Sequence, residues 1–297
     1  MVRPRRSVTV SFHGANLSVT VTKKAVEVDE WINNTIRNHC HHLRDLIVGL
    51  DIEWHPNTSG DFKPPAPAAT LQLCVGQRCL IFQLLHRDFI PDSLLNFLAY
   101  PFFTFVGVGV QDDAEKLFRD HGLIVRKVVD LRHLAAWVYD SKEFSRMGLK
   151  RIALEVLGQV MEKPLEVTLS DWDAKDLTYR QIEYGSIDAF ASFQIGFDLF
   201  TMAAYKLHLL NGNKAKEIQL TPESTLRNTN NTYNLLLISS FQHRKEVAEQ
   251  ISSSMAMKKI MPDQIYIHGA DQGLHAERLR SLKASFKGIK TIYAQDK

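Results

Sequence analysis

Residues 46–54 read LIVGLDIEW, a run that is apolar throughout except for two acids, Asp51 and Glu53. If the run is a strand, residues two apart point to the same side, so both carboxylates converge on one face. Two unpaired carboxylates on a sheet's buried side are costly, and burial with like-charge repulsion makes one of them hold its proton. A bound divalent cation removes that penalty, and carboxylate oxygens are the ligands that hard Mg²⁺ or Mn²⁺ prefers. The plain alternative is a solvated pair at a sheet edge. The D-x-E pattern alone is weak: a second one, Asp113 and Glu115, sits in a helix-like stretch where the two would splay apart.

Around this run the pattern changes period repeatedly. VTVSF and LSVTVT alternate about the turn-like HGAN, a hairpin signature, and Val28, Trp31, Ile32, Thr35 and Ile36 follow at helical spacing. TLQLCVG and RCLIFQL predict an antiparallel pair, reached through the Pro-rich loop HPNTSGDFKPPAPAA. PDSLLNFLAY begins a helix at proline, TFVGVGV is a buried strand, and DDAEKLFRDHG is a helix stopped at Gly122. KVVDLRHLAAW predicts a strand passing into a helix; MGLKRIALEVLG is a helix closed by Gly158, and a long one runs from Leu177 to about Leu207. The expectation is an α/β protein: a mixed sheet flanked by helices. Residues 1–45 form a hairpin and helix leading into a core over 46–207. Residues 208–232 are a polar linker, and 233–297 a small basic α/β extension read as strand–helix–strand–helix–strand.

Of the 297 residues 45% are apolar and 23% charged, which excludes collagenous and largely disordered chains. No apolar run approaches the roughly 18 residues of a membrane span. The start, MVRPRRSVTVSFHG, lacks the apolar stretch of a secretory signal, and three cysteines make no even framework. An intracellular protein of the nucleus or cytoplasm, with no membrane partner, is expected. Net charge is +3, too small to imply nucleic acid by itself. Residues 1–200 hold 22 Lys/Arg against 25 Asp/Glu (net −3), whereas 201–297 hold 14 against 8 (net +6). No G-x-x-x-x-G-K-[ST] or G-x-G-x-x-G occurs, and His39-Cys40-His41-His42 has no second cluster at finger spacing.

Further acids stand out by their surroundings. Asp112 and Asp113 follow a strand and open a helix, where aspartate is favoured for capping; one can cap while the other faces a cleft. In QIEYGSIDAFASF, Tyr184 and Asp188 are four apart and share a helix face, with Asp188 among apolar neighbours. A tyrosine–aspartate hydrogen bond in the core is the bland reading. Trp54, His55 and Phe105 are candidates to line a substrate groove, though aromatics at strand ends are more often core.

In this order and spacing, GLDIEW, FVGVGVQDDAEKL and LTYRQIEYGSIDAFASF resemble the three motifs of the DEDD exonuclease superfamily. The Y-x-x-x-D form of the third resembles its tyrosine subclass, and within it the Werner syndrome-type 3′→5′ exonucleases, above all plant proteins of that type without a helicase. The resemblance covers roughly residues 8–205 and implies a ribonuclease H-like fold. It implies two divalent cations, Mg²⁺ or Mn²⁺, with Asp51 bridging them, Glu53 and Asp188 completing one shell, and Asp113 (Asp112 as the alternative) holding the other. Tyr184 would orient the attacking water; Trp54 and His55 remain the substrate-contact candidates by their own place at the strand end. The implied activity is phosphodiester hydrolysis at a free 3′ end, of DNA in preference to RNA, with a separate helicase as a partner. Gly185–Ser186 departs from the two small apolar residues usual there. Competing readings are a catalytically inactive adaptor that binds nucleic acid or protein, and an RNA-processing nuclease related to ribonuclease D.

Overall fold

The computed structural model describes residues 7–40, 46–55 and 66–210. The α/β extension, the linker beyond residue 210, and His41 and His42 lie outside the described residues.

Seven strands, β1 (Ser7–Phe12), β2 (Ala15–Thr22), β3 (Ile47–Glu53), β4 (Thr70–Val75), β5 (Arg78–Gln83), β6 (Thr104–Gly107) and β7 (Val128–Asp130), make one mixed sheet. Its order is β1-β2-β5-β4-β3-β6-β7. β3, β4 and β5 pair antiparallel in succession, whereas β2 with β5, β3 with β6, and β6 with β7 are parallel. The predicted hairpin closes at His13 and Gly14, whose φ values of +44° and +81° suit a two-residue turn of the primed type. Val19 stands opposite Cys79 on β5, with both residues fully buried, so the hairpin extends the sheet.

The helices among the described residues are α1 (Ala25–Asn38), α2 (Asp92–Leu98), α3 (Val110–His121), α4 (Leu131–Val138), α5 (Leu149–Leu157), α6 (Leu165–Thr168) and α7 (Tyr179–Leu210). α1 buries Val28, Trp31, Ile32 and Thr35, four of the five positions the helical spacing picks out, and starts three residues before Val28. α3 and α5 stop at Gly122 and Gly158 as those glycines predict. α3 begins earlier than expected, with Gly109 at its N-cap, and neither Asp112 nor Asp113 caps it. Gly109 N–H is instead met by Asp130 Oδ2 at 3.0 Å. Phe105 is fully buried, a core residue with no access to a groove.

Two compact units divide the chain: Met1–Arg132 with Met147–Phe197, and His133–Arg146 with the chain from Asp198. In the second, Lys206 donates to the carbonyls of Trp137 and Val138 and pairs with Asp140 at 2.6 Å, while Tyr139 stacks on Phe144. The first unit carries every candidate site residue. Within it α7 lies unusually close to the sheet. A Cβ on Gly49 of β3 would fall 2.0 Å from the Ala189 carbonyl oxygen, and one on Gly196 of α7 would fall 2.8 Å from a Val106 methyl. Bare backbone at these two contacts brings α7 down onto β3 and β6.

Candidate active site

The sheet branches at β3, with antiparallel β4 on one side and parallel β6 on the other, and crevices outside such strand ends are where α/β sheets bind ligands. Asp51 and Glu53 occupy the last turn of the pleat at that end, both half-buried, while Ile52 between them is buried on the opposite face. Asp188 reaches the same spot from α7, one helical turn after Tyr184. One carboxylate oxygen from each of Asp51, Glu53 and Asp188 lies within 4.8 Å of the others. Asp113, from the first turn of α3, lies outside that three-residue group, but its charge acts on both Asp51 and Glu53. Asp113 is half-buried and Asp112 is exposed.

Electrostatics make this grouping expensive without a counter-charge. Two unit charges 4.8 Å apart repel by roughly 3 kcal/mol at an effective dielectric of about 20. Burial, then Glu53, Asp188 and Asp113, hold the Asp51 carboxyl well above the usual carboxylate range. Burial and Asp188 push Glu53 up to about 8, and burial with Asp112 and Asp130 pushes Asp113 up to about 7. Asp188 is raised by burial as well, with Lys163 opposing. The Oδ2 of Asp51 is shielded from solvent and has no hydrogen-bond partner. An orphaned carboxylate oxygen beside two further hard oxygen donors fits a divalent cation of the Mg²⁺ or Mn²⁺ type.

Tyr184 is buried, its ring 6.1 Å from that of Trp172, one helical turn before Asp188, and the two side chains interact electrostatically. Burial and the Asp188 charge raise its pKa, so the hydroxyl stays protonated and can donate at neutral pH. The Gly185–Ser186 departure leaves α7 unbroken. Ser186 Oγ donates back to the Glu183 carbonyl at 3.1 Å, and a Cβ on Gly185 would stand 3.2 Å from Gln72 Nε2. Gln72, fully buried, faces Asp51 across the β3–β4 ladder and donates to Thr70 Oγ1, itself opposite Glu53.

Trp54 is 36% exposed at the end of β3, and the Lys116 ammonium stands 5.1 Å from its ring centroid. Lys116 is on α3 one turn after Asp113 and also pairs with Asp120 at 2.8 Å. His55 follows, half-exposed.

Two cations belong to this region that periodicity did not single out. Lys163, from the irregular stretch between α5 and α6, places its ammonium 3.0 Å from Asp188 Oδ2 and 5.3 Å from the Tyr184 ring centroid. Arg132 grips Asp130 with Nε and Nη2, and its charge acts on Asp112 and Asp113. Burial alone would raise Asp130; the Arg132 hydrogen bonds hold it below the usual carboxylate range. Asp130 thereby fixes the start of α3, the turn that presents Asp113. The D-L-R spacing at the β7–α4 junction was a visible signal for that pair, whereas nothing local marks Lys163.

Residues 21–202 match the 3′-5′ exonuclease family, which is more than half of the chain. The chain is 32% identical over 182 residues to a 3′-5′ exonuclease of Arabidopsis thaliana, covering 60% of this chain and 62% of the relative. It is 36% identical over 198 residues to exonuclease 3′-5′ domain-containing protein 2 of Homo sapiens, covering 65% and 29% respectively. The chain thus spans less than two thirds of either relative. The crystal structure of the EXD2 exonuclease domain soaked in Mn and dGMP is 27% identical, with a TM-score of 0.36, over 69% of this chain and 100% of that one. On the family match, this chain is a member of the 3′-5′ exonuclease family.

Proposed function

We propose that the chain hydrolyses phosphodiester bonds at nucleic-acid 3′ ends, releasing mononucleotides with the help of two divalent cations. The observation that carries this reading is the convergence of Asp51, Glu53 and Asp188 within 4.8 Å, with the charge of Asp113 acting on the first two. Asp51, Glu53 and Asp188 would hold one cation, and Asp51 and Asp113 the other. Bound there, such ions supply an acidified water and offset charge on the phosphate and leaving oxygen.

The remaining work falls to side chains. Tyr184, neutral and one helical turn before Asp188, orients the attacking water rather than deprotonating it, because its raised pKa makes it a poor base near pH 7. Trp54, exposed beside the acids, offers a face on which the terminal base stacks, and His55 flanks it. DNA is the preferred polymer, and a separate helicase supplies frayed ends in the nucleus or cytoplasm.

The test is the full chain with a 5′-labelled oligonucleotide, as DNA and as RNA, in Mg²⁺, in Mn²⁺ and in chelator. A metal-dependent ladder shortened from the 3′ end is expected, faster on DNA. Asp51→Ala should lower the rate by at least about 100-fold, as losing preorganised charge stabilisation does. A variant as active as the parent would refute the site.

A further inference from the structure

Lys163 is bound to the candidate site more tightly than a surface lysine would be. Its ammonium is 3.0 Å from Asp188 Oδ2, and its partner's side chain is only 5% exposed. The ammonium also lies over the Tyr184 ring, 5.3 Å from the centroid. The Asp188 it neutralises is one of the three carboxylates drawn together within 4.8 Å. The charge of Lys163 also acts on Asp51 and Glu53, always in the direction that favours their ionised forms. So the ammonium partly offsets the acidic group from the Tyr184 side. Yet its own side chain is 38% exposed, and a flexible four-carbon stem lets the charge swing without moving the backbone.

We propose that Lys163 is an exchangeable counter-ion: it holds Asp188 until a divalent cation binds, yields that carboxylate to it, and then meets the anionic substrate from beside Tyr184. This rests on the nuclease reading for its last step alone. An ammonium and a dication on one carboxylate repel each other, so on this proposal Lys163 and metal compete for Asp188. Once displaced, the ammonium stays within reach of Tyr184, over whose ring it already stands, and so beside the phosphodiester that the nuclease reading puts there. Lys163 is therefore a positioning residue for Asp188 in the metal-free protein and a phosphate partner in the loaded one.

The sign of the metal effect separates this role from plain scaffolding. Lys163→Met keeps the length and removes the charge. Titrated calorimetrically with Mn²⁺ at pH 8.5, where protons compete least for the carboxylates, it should bind Mn²⁺ about tenfold tighter than the parent, within the usual range of site coupling. Without metal it should unfold at a lower temperature. With Mn²⁺ saturating, KM for a single-stranded oligonucleotide should rise several-fold, and Lys163→Arg should restore most of that loss. A variant that binds Mn²⁺ equally or more weakly overturns the proposal. A measurement on the parent protein decides the matter if the variant does not fold. Mg²⁺ should speed acylation of the Lys163 amine, read by peptide mass spectrometry, and an unchanged or slower rate overturns the proposal. Should the parent degrade no nucleic acid at all, the nuclease reading fails, while the titration and labelling still decide whether Lys163 exchanges with metal.

Discussion

Asp51 is pushed toward its protonated form by its own burial and by Glu53, Asp188 and Asp113, with Lys163 pulling the other way. A residue in that position stores strain rather than stability, which is how sites poised for a cation differ from ordinary ion-pair networks. Asp51→Asn is nearly isosteric and removes one charge from the group. The metal-free variant should therefore unfold at a higher temperature than the parent, by about 1–2 kcal/mol of added stability in line with other relieved functional sites. Mg²⁺ should then raise its unfolding temperature far less than it raises the parent's. Thermal unfolding of both proteins in chelator and in Mg²⁺ reads the two effects together; a less stable metal-free variant would mean that Asp51 is a structural acid. Asp112 shows the other side of the same logic. It stands next to Asp113 in sequence, yet it is exposed and its charge reaches Asp113 and Arg132 rather than the strand acids.

The element that sets the site's width is α7, because Asp188 meets Asp51 only if that helix lies almost against β3. Gly49 makes the approach possible, and a side chain there has no room: the obstruction is backbone, the Ala189 carbonyl and the Phe193 nitrogen, not a movable side-chain end. Gly49→Ala should destabilise the fold by about 3 kcal/mol, the upper part of the range for overpacked cores, and lower metal affinity by moving Asp188 away from Asp51. Chemical denaturation and Mn²⁺ titration of the same variant test both halves; a variant of parental stability would contradict the close packing. Much of this site was legible beforehand because its signals are local. Period-two alternation puts Asp51 and Glu53 on one face, and four-residue spacing puts Tyr184 above Asp188. What escaped was whatever depends on contacts far along the chain. Val19 finds Cys79, Lys163 finds Asp188, and Gly49 finds Ala189, each through tertiary packing that no short window reports. The hairpin's place in the sheet and the counter-charge in the site were therefore found only in three dimensions. The capping expected of Asp112 or Asp113 failed for a similar reason: Asp130, brought in by β7, meets the helix start instead.

At the scale of the whole molecule, the crowded acids tie stability to pH and to metal in one linkage. Glu53 rises from an ordinary 4.5 to about 8, and Asp113 from 3.8 to about 7, when the chain folds without a cation. Between those limits the folded protein holds protons that the unfolded chain has released. Stability from these two groups is thus complete below about pH 4 and is lost as pH rises through 7 and 8. A divalent cation reverses the trend, since it binds the ionised carboxylates and needs them free of protons. The stabilisation Mg²⁺ confers should therefore grow from pH 6 to pH 8.5 at fixed concentration. His121 titrates in part of the same window: burial, with Arg87 adding to it, pushes its pKa below the ordinary value, so it adds stability as pH rises. It bonds the Ala68 carbonyl and Arg87 rather than the acids, so its contribution is common to samples with and without metal. The difference between unfolding temperatures in Mg²⁺ and in chelator, recorded across that pH range, cancels it. A difference that widens with pH is the expected result; one that is flat or narrows would mean that Glu53 and Asp113 keep no protons for a cation to displace.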